Sequence, residues 1–260
     1  MRPLVIVALV LFPRITAAQE IPPQPLQELF FTENVYPQER GEVQLTLGAV
    51  VDRTRADLAA LAPFAVEYGL TNRWQIEAGW DGFTHFRTAP LKQLRTARLS
   101  LGTKYSFMRI AGSRVHAALG IDTEFPHPDA LADDEGEDSM DVEPFVAMAA
   151  DIGKRFTLFG SAAMSWEPRD VVAFVERATR PKDPGTLGIG GLVAFRHATV
   201  AVEYTARSDK LPWRLDGAPL LTPSIVLRPA DHWEAGFGVP IGLRNRARQP
   251  GVAAHIVKEF

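Results

Sequence analysis

From Glu42 to its last residue the chain alternates. Apolar and polar side chains trade places at successive positions, in block after block of strand length. Val43, Leu45, Leu47, Ala49 and Val51 enclose Gln44, Thr46 and Gly48. Trp74, Ile76, Ala78 and Trp80 are interleaved with Gln75, Glu77, Gly79 and Asp81. Ala97, Leu99, Leu101, Thr103, Tyr105 and Phe107 are interleaved with Arg98, Ser100, Gly102, Lys104 and Ser106. Successive side chains of a β-strand point to opposite faces, so each block predicts a strand with one apolar and one polar face.

Twelve such blocks are legible in the sequence, at about 43–51, 64–70, 74–81, 97–107, 115–125, 140–152, 155–166, 185–195, 198–207, 218–228, 232–243 and up to 260. The connections after the second, fourth, sixth, eighth and tenth blocks are short, as at Thr71-Asn72 and Gly153-Lys154. Those after the third, fifth and seventh are long: Gly82–Arg95, Pro126–Ser139 and Glu167–Pro184. The link near Asp52–Asp57 breaks this rhythm by being short. Short turns at one end and long loops at the other are the plan of a transmembrane antiparallel up-and-down β-barrel. An even strand number returns the chain to the side on which it started. A terminal Phe260 closing the alternation Val252, Ala254, Ile256, Lys258, Phe260 resembles the insertion signature of bacterial outer-membrane β-barrels.

A soluble barrel would alternate too, with its apolar face inward. Three features predict lipid outside instead. Aromatics on the apolar faces fall into two bands. Tyr68, Trp74, Tyr105, Phe107, Phe156, Phe195, Trp233 and Phe260 sit near the short turns, and Trp80, Phe125, Trp166 and Tyr204 near the long loops. Such bands mark the two membrane–water interfaces. Strands of about ten residues match a tilted crossing of the hydrocarbon. The polar face is too charged to be buried dry. Lys258 is the exception on the apolar face, at a level where a lysine costs roughly 0–1 kcal/mol and can snorkel.

Before the barrel, Arg2, the apolar run Leu4–Phe12 and the small residues Thr16-Ala17-Ala18 have the three-part layout of a secretory signal, residues 1–18. The apolar run is too short to span a bilayer as a helix. Without residues 1–18 the chain loses Arg2 and Arg14, which leaves 26 Lys+Arg against 31 Asp+Glu, a net charge of −5. That balance disfavours nucleic acid as a partner. The absence of cysteine excludes a lipoprotein anchor and disulfides. Residues 19–41 are rich in Pro and Gln and carry Leu26, Leu29, Phe30 and Phe31. They read as a periplasmic tail or as a segment tucked into the barrel, with Pro25 placed to open a short helix. The barrel is then 42–260.

The polar faces predict a lumen lined by Glu67, Glu77, Asp81, Arg98, Lys104, His116, Asp122, Glu124, Asp141, Glu143, Asp151, Glu203, Arg207, Arg228 and Glu234. Acids outnumber bases, so some must pair: Lys104 with Glu77, and Arg98 with Asp81 or Asp122. Either these groups form a packed ion-pair network or they line a water-filled path that weakly favours cations. The loops carry an acidic run (Asp129 to Asp138) and basic groups at Arg87, Lys92, Arg95 and at Arg244, Arg246, Arg248. The acidic run lacks the ordered spacing of a calcium loop, so no metal or other cofactor is expected. None of the six histidines stands in a His-x-Ser arrangement, and there is no nucleophile elbow, phosphate loop or zinc-ligand pair. No catalytic residue is expected.

The stretch Val66-Glu67-Tyr68-Gly69-Leu70-Thr71-Asn72-Arg73-Trp74-Gln75-Ile76-Glu77 resembles a recurring hairpin in a family of outer-membrane proteins named for the meta-pathway of phenol degradation. The resemblance implies a mid-sized barrel that passes small, often aromatic or hydrophobic, molecules. It supplies no catalytic motif. The expectation is a passive outer-membrane channel or transporter. Its partners would be the bilayer, lipopolysaccharide, the barrel-assembly machinery and a small solute. The alternatives are a non-conducting structural or adhesion barrel working through its charged loops and, less favoured, a lipid-modifying enzyme.

Overall fold

The computed structural model describes residues 24–54, 57–88, 91–126, 140–165, 185–208, 219–243 and 248–260. For the strand residues 52–54, 57–59, 81, 83–88, 91–98, 126, 207–208 and 248–249 it describes the backbone alone.

Twelve antiparallel strands close on themselves: β1 (Val43–Thr54), β2 (Asp57–Thr71), β3 (Trp74–Thr88), β4 (Leu91–Phe107), β5 (Val115–Pro126), β6 (Asp141–Ile152), β7 (Phe156–Met164), β8 (Gly185–Ala194), β9 (Ala198–Ser208), β10 (Leu220–Ala230), β11 (Trp233–Gly238, resumed at Ile241–Gly242) and β12 (Arg248–Glu259). Each strand pairs with the next, and β12 returns to β1 in the register Gln44↔Glu259 to Val51↔Val252. Closure leaves no edge strand among the described residues, which a sheet in lipid requires.

The faces sort as the alternation predicts. Leu101 is 56% exposed, Leu119 53%, Ile189 51% and Ile256 50%, all on the outside. On the inside Gln44, Glu203 and Thr199 are fully buried. A surface built of exposed Leu, Ile, Val and Phe is unfavourable in water and suited to hydrocarbon. Near the short turns, Trp74 Nε1 donates to Thr103 Oγ1 across the outer face at 2.7 Å, and Tyr105 and Phe107 meet edge-on with centroids 5.0 Å apart. The Lys258 ammonium lies 5.1 Å from the Trp233 ring centroid and 5.3 Å from that of Phe260. A cation over aromatic faces is stabilised, so the exception on the apolar face has partners within its own girdle.

Three details depart from the sequence reading. The stretch expected as the loop Gly82–Arg95 is mostly strand. β3 and β4 stay paired to Thr88↔Leu91. Antiparallel pairing satisfies the backbone as well beyond the lipid as within it, and Gly82 does not end it. The basic residues Arg87, Lys92 and Arg95 therefore lie along a hairpin, not a loop, with Arg87 opposite Lys92. Second, β11 breaks at Val239-Pro240, because Pro240 has no N–H to donate. The strand resumes against Leu220 and Leu221 of β10. Third, no helix follows Pro25 in the described residues. Residues 127–139, 166–184 and 244–247 lie outside the described residues, with the acidic run, Trp166, Arg244 and Arg246; of Arg248 only the strand backbone is described.

Candidate functional site: the barrel interior

Residues 24–40 occupy the interior. Their amides explain why no helix forms there. Gln27 N donates to Glu234 Oε2 of β11 at 2.8 Å. Phe30 N and Phe31 N donate to the two oxygens of Glu203 on β9, each at 2.9 Å. Amides that serve strand carboxylates cannot also serve carbonyls four residues back. Hydrogen bonds to charged acceptors are the stronger kind.

The segment enters and leaves by the short-turn end. Gln24 and Pro25 border the turn residues Gly153-Lys154-Arg155 and Arg228. Glu33 N reaches Ser161 Oγ of β7 at 3.2 Å, and a Cβ on Gly188 of β8 would lie 2.7 Å from Thr32 Oγ1. Arg40 N then donates to Asn72 Oδ1 in the β2–β3 turn at 3.0 Å. The two legs are tied together by Gln24 Nε2 to Pro37 O at 2.8 Å and by Asn34 Nδ2 to Gln27 O at 2.9 Å. Residues 24–40 thus form a bent loop.

One wall of the interior is polar. Gln38 Nε2 donates to Gln44 Oε1 of β1 at 2.6 Å, and Gln38 N to Gln75 Oε1 of β3 at 3.0 Å. Gln44 and Gln75 both donate to Glu67 of β2, at 2.8 and 2.6 Å. Glu28 accepts from Gln44 Nε2 at 2.9 Å. Burial first, and then the charge of Glu67, push the Glu28 carboxyl well above the usual carboxylate range. On β4, Lys104 donates to the Asn34 carbonyl at 3.0 Å and Ser106 to that of Val35 at 2.7 Å. Where the sequence paired Lys104 with Glu77, the hydrogen bond described for the ammonium goes to the inserted segment. Gly69 must be glycine here, since a Cβ would overlap the Glu39 carbonyl.

The opposite wall is mainly apolar. Leu26, Val35 and Tyr36 of the segment pack with Ala147 and Ala149 of β6, Phe159 of β7, Leu192 of β8 and Ala201 of β9. A cavity between segment and wall, lined by Leu26, Val35, Ala149 and Phe159, measures about 10 Å³, about room for one water. On this side the lumen candidates read from the sequence, such as Asp151 and Glu203, stand beside apolar residues. β6 to β9 carry apolar residues on both faces, with Phe145 and Phe159 pointing in beside Thr157 and Glu203, and Met148 and Leu158 out. Periodicity alone cannot choose between two apolar faces.

The remaining candidates fall into three groups. Glu77, Asp122, Glu124, Asp141 and Glu143 lie along β3, β5 and β6, with Asp122 opposite Glu143 and Glu124 opposite Asp141. Asp81 and Arg98 are register partners on β3 and β4. Asp122 faces Gly102. Arg207 pairs with Thr186 in register; for Asp81, Arg98 and Arg207 only the backbone is described. Arg228 Nε bridges to Glu234 Oε1 at 3.0 Å, and its guanidinium also donates to Thr199 Oγ1 at 3.1 Å and to the Pro25 carbonyl.

His116 and Asp151 form the one His–carboxylate contact deep in the described interior, at 3.0 Å. It is not a catalytic pair. His116 Nδ1 accepts from Arg109 N at 3.1 Å, so the proton sits on Nε2 and is given to Asp151. Both ring nitrogens are used, and none is left to take a proton from a nucleophile. Asp151 also accepts from Thr157 Oγ1 at 2.8 Å and from Tyr36 OH at 3.3 Å. With Tyr36 ringed against His116 at 5.7 Å and Phe30 stacked on His255 of β12 at 4.6 Å, the segment touches every strand of the barrel. The sequence missed these pairings because each joins residues far apart in the chain, and residues 24–40 carry no period.

No family model matches the chain, and no curated protein does. Solved structures do. The COG4313 outer membrane channel from Pseudomonas putida F1 superposes with a TM-score of 0.64 at 10% identity, over 87% of this chain and 98% of that one. The KdgM porin gives a TM-score of 0.56 at 7% identity, over 83% and 99%. The NanC porin gives 0.54 at 12% identity, over 83% and 98%. At such identities the likeness is one of fold, and the fold is the closed twelve-stranded barrel of outer-membrane porins and channels.

Proposed function

We propose that this protein is a channel of the bacterial outer membrane for small, hydrophobic or aromatic molecules, gated by its own residues 24–40. In this reading residues 1–18 direct secretion, and the assembly machinery inserts the barrel with its short turns toward the periplasm. Lipopolysaccharide meets the loop end. The likeness to porins and channels, and the hairpin that resembles the phenol meta-pathway family, support transport over catalysis. The observation that carries the reading is the inserted segment. A lipid-facing barrel filled by a loop hydrogen-bonded on one side and held mainly by packing on the other has a removable stopper. An apolar solute can take over contacts with Phe159 and Leu192 at little cost, because one apolar neighbour replaces another. A sugar or ion finds no such exchange.

Planar-bilayer recording on the full chain and on a chain lacking residues 24–40 tests this. The full chain is expected to conduct weakly. The deletion is expected to raise conductance at least tenfold and to favour cations, since Glu67, Glu203 and Glu234 then face water. Silence in both chains would favour the structural-barrel alternative. Uptake into vesicles of a small aromatic compound, but not of a disaccharide, by the full chain is the companion result.

A further inference from the structure

Three residues from distant parts of the sequence meet on the short-turn rim. Glu42 stands just before β1, His232 in the β10–β11 turn, and Glu259 at the end of β12. One ligand atom from each lies within 4.8 Å of the other two. His232 Nδ1 and Glu259 Oε2 are 3.5 Å apart. Ligands held about 2.0–2.2 Å from a tetrahedral zinc ion are roughly 3.4 Å from one another, so this pair already has the bite of a metal site.

The backbones that carry the three side chains are fixed to one another. Glu259 N donates to His232 O at 3.0 Å, and Val43 and Phe260 exchange hydrogen bonds of 3.3 and 2.9 Å. Glu42 Oε2 accepts from Glu39 N at 2.9 Å, which orients the carboxylate and leaves its other oxygen available. The rim opens onto the wide mouth cavity of 810 Å³, which His232 and Glu259 help to line. An ion can enter there without any rearrangement of the barrel.

We propose that Glu42, His232 and Glu259 bind a divalent transition-metal ion of the zinc type. The donor set selects the metal. One imidazole with two carboxylates suits zinc and its neighbours, whereas calcium and magnesium take oxygen ligands throughout. Two carboxylates set beside one another repel, and a dication converts that repulsion into attraction. Three protein ligands leave a fourth position to water from the mouth. Such an ion would clip the root of the inserted segment, at Glu42, to the last strand and to the neighbouring turn. The site does not depend on what the barrel transports.

Titration calorimetry of zinc chloride into the full chain, purified in detergent without a polyhistidine tag, is the test. One ion per chain with micromolar affinity is expected. His232→Ala and Glu259→Gln should each weaken binding at least tenfold. His197→Ala, on the same mouth, should leave it unchanged, and millimolar calcium should not compete. Heat-modifiable gel mobility verifies that each variant is folded. Absence of a saturable zinc isotherm, or one that His232→Ala leaves intact, overturns the proposal.

Discussion

The two walls of the barrel interior hold the same seventeen-residue loop by opposite means. Against β1 to β4 it is held by Gln44, Glu67, Gln75 and Lys104 through directed hydrogen bonds. Against β6 to β9 it is held mainly by packing on Ala149, Phe159 and Leu192, with Glu203 as a charged anchor. Directed bonds fail abruptly, because a buried donor that loses its acceptor costs about 1–3 kcal/mol. Apolar contacts fail gradually and accept substitutes. The polar wall therefore fixes where the loop sits, and the apolar wall sets how readily another apolar body displaces it.

The largest effect should come from the apolar wall. Phe159→Ala removes the bulkiest group between the loop and Gly190 and is expected to cost about 3–5 kcal/mol, read as a lower urea midpoint for the barrel in vesicles. A loss below about 1 kcal/mol would mean that this wall bears little of the loop. Next is the anchor. Glu203→Gln keeps one oxygen acceptor where two amides need one each. It should cost about 1–3 kcal/mol and speed proteolysis of the loop while leaving the strands protected.

A third test turns on acidity. Burial and the charges of Glu67 and Glu77 raise the Glu28 carboxyl well above its ordinary value, with Lys104 opposing them. A raised carboxyl favours the inserted state when protonated, so insertion is stabilised at low pH and weakened as pH rises through the raised value. Conductance of the full chain should then increase with pH. Glu28→Gln should flatten that dependence, and an unchanged profile would shift the control to other carboxylates. The smallest effect belongs to the exterior. Lys258→Ala loses contacts with Trp233 and Phe260 worth about 0.5–1 kcal/mol and should leave conductance untouched.

Much of this architecture can be read from the residues. Where one face is apolar and the other polar, as in Trp74–Trp80 or Ala97–Phe107, alternation gives both the strand and its outward side. It fails where both faces are apolar. Phe145 and Phe159 are indistinguishable in the sequence from Met148 and Leu158, and only the closed sheet decides which pair faces in. The interior carboxylates were legible as a class, but their partners were not. Glu203 serves amides 172 and 173 residues away, and no local pattern records that. The two glutamates and the histidine of the rim are equally scattered.

The bent course of residues 24–40 has a mechanical consequence. Because both legs leave by the same mouth, the chain is inserted and not threaded. The barrel can close around it, and it can be withdrawn, without passing an end through the pore. A pull on the chain before Gln24 would load the bonds one after another, beginning with Gln24 to Pro37 and Thr199 to Pro25. Bonds broken in sequence yield to far less force than the same bonds broken together. The stopper is thus firm against pressure from the loop end and easily peeled from the turn end.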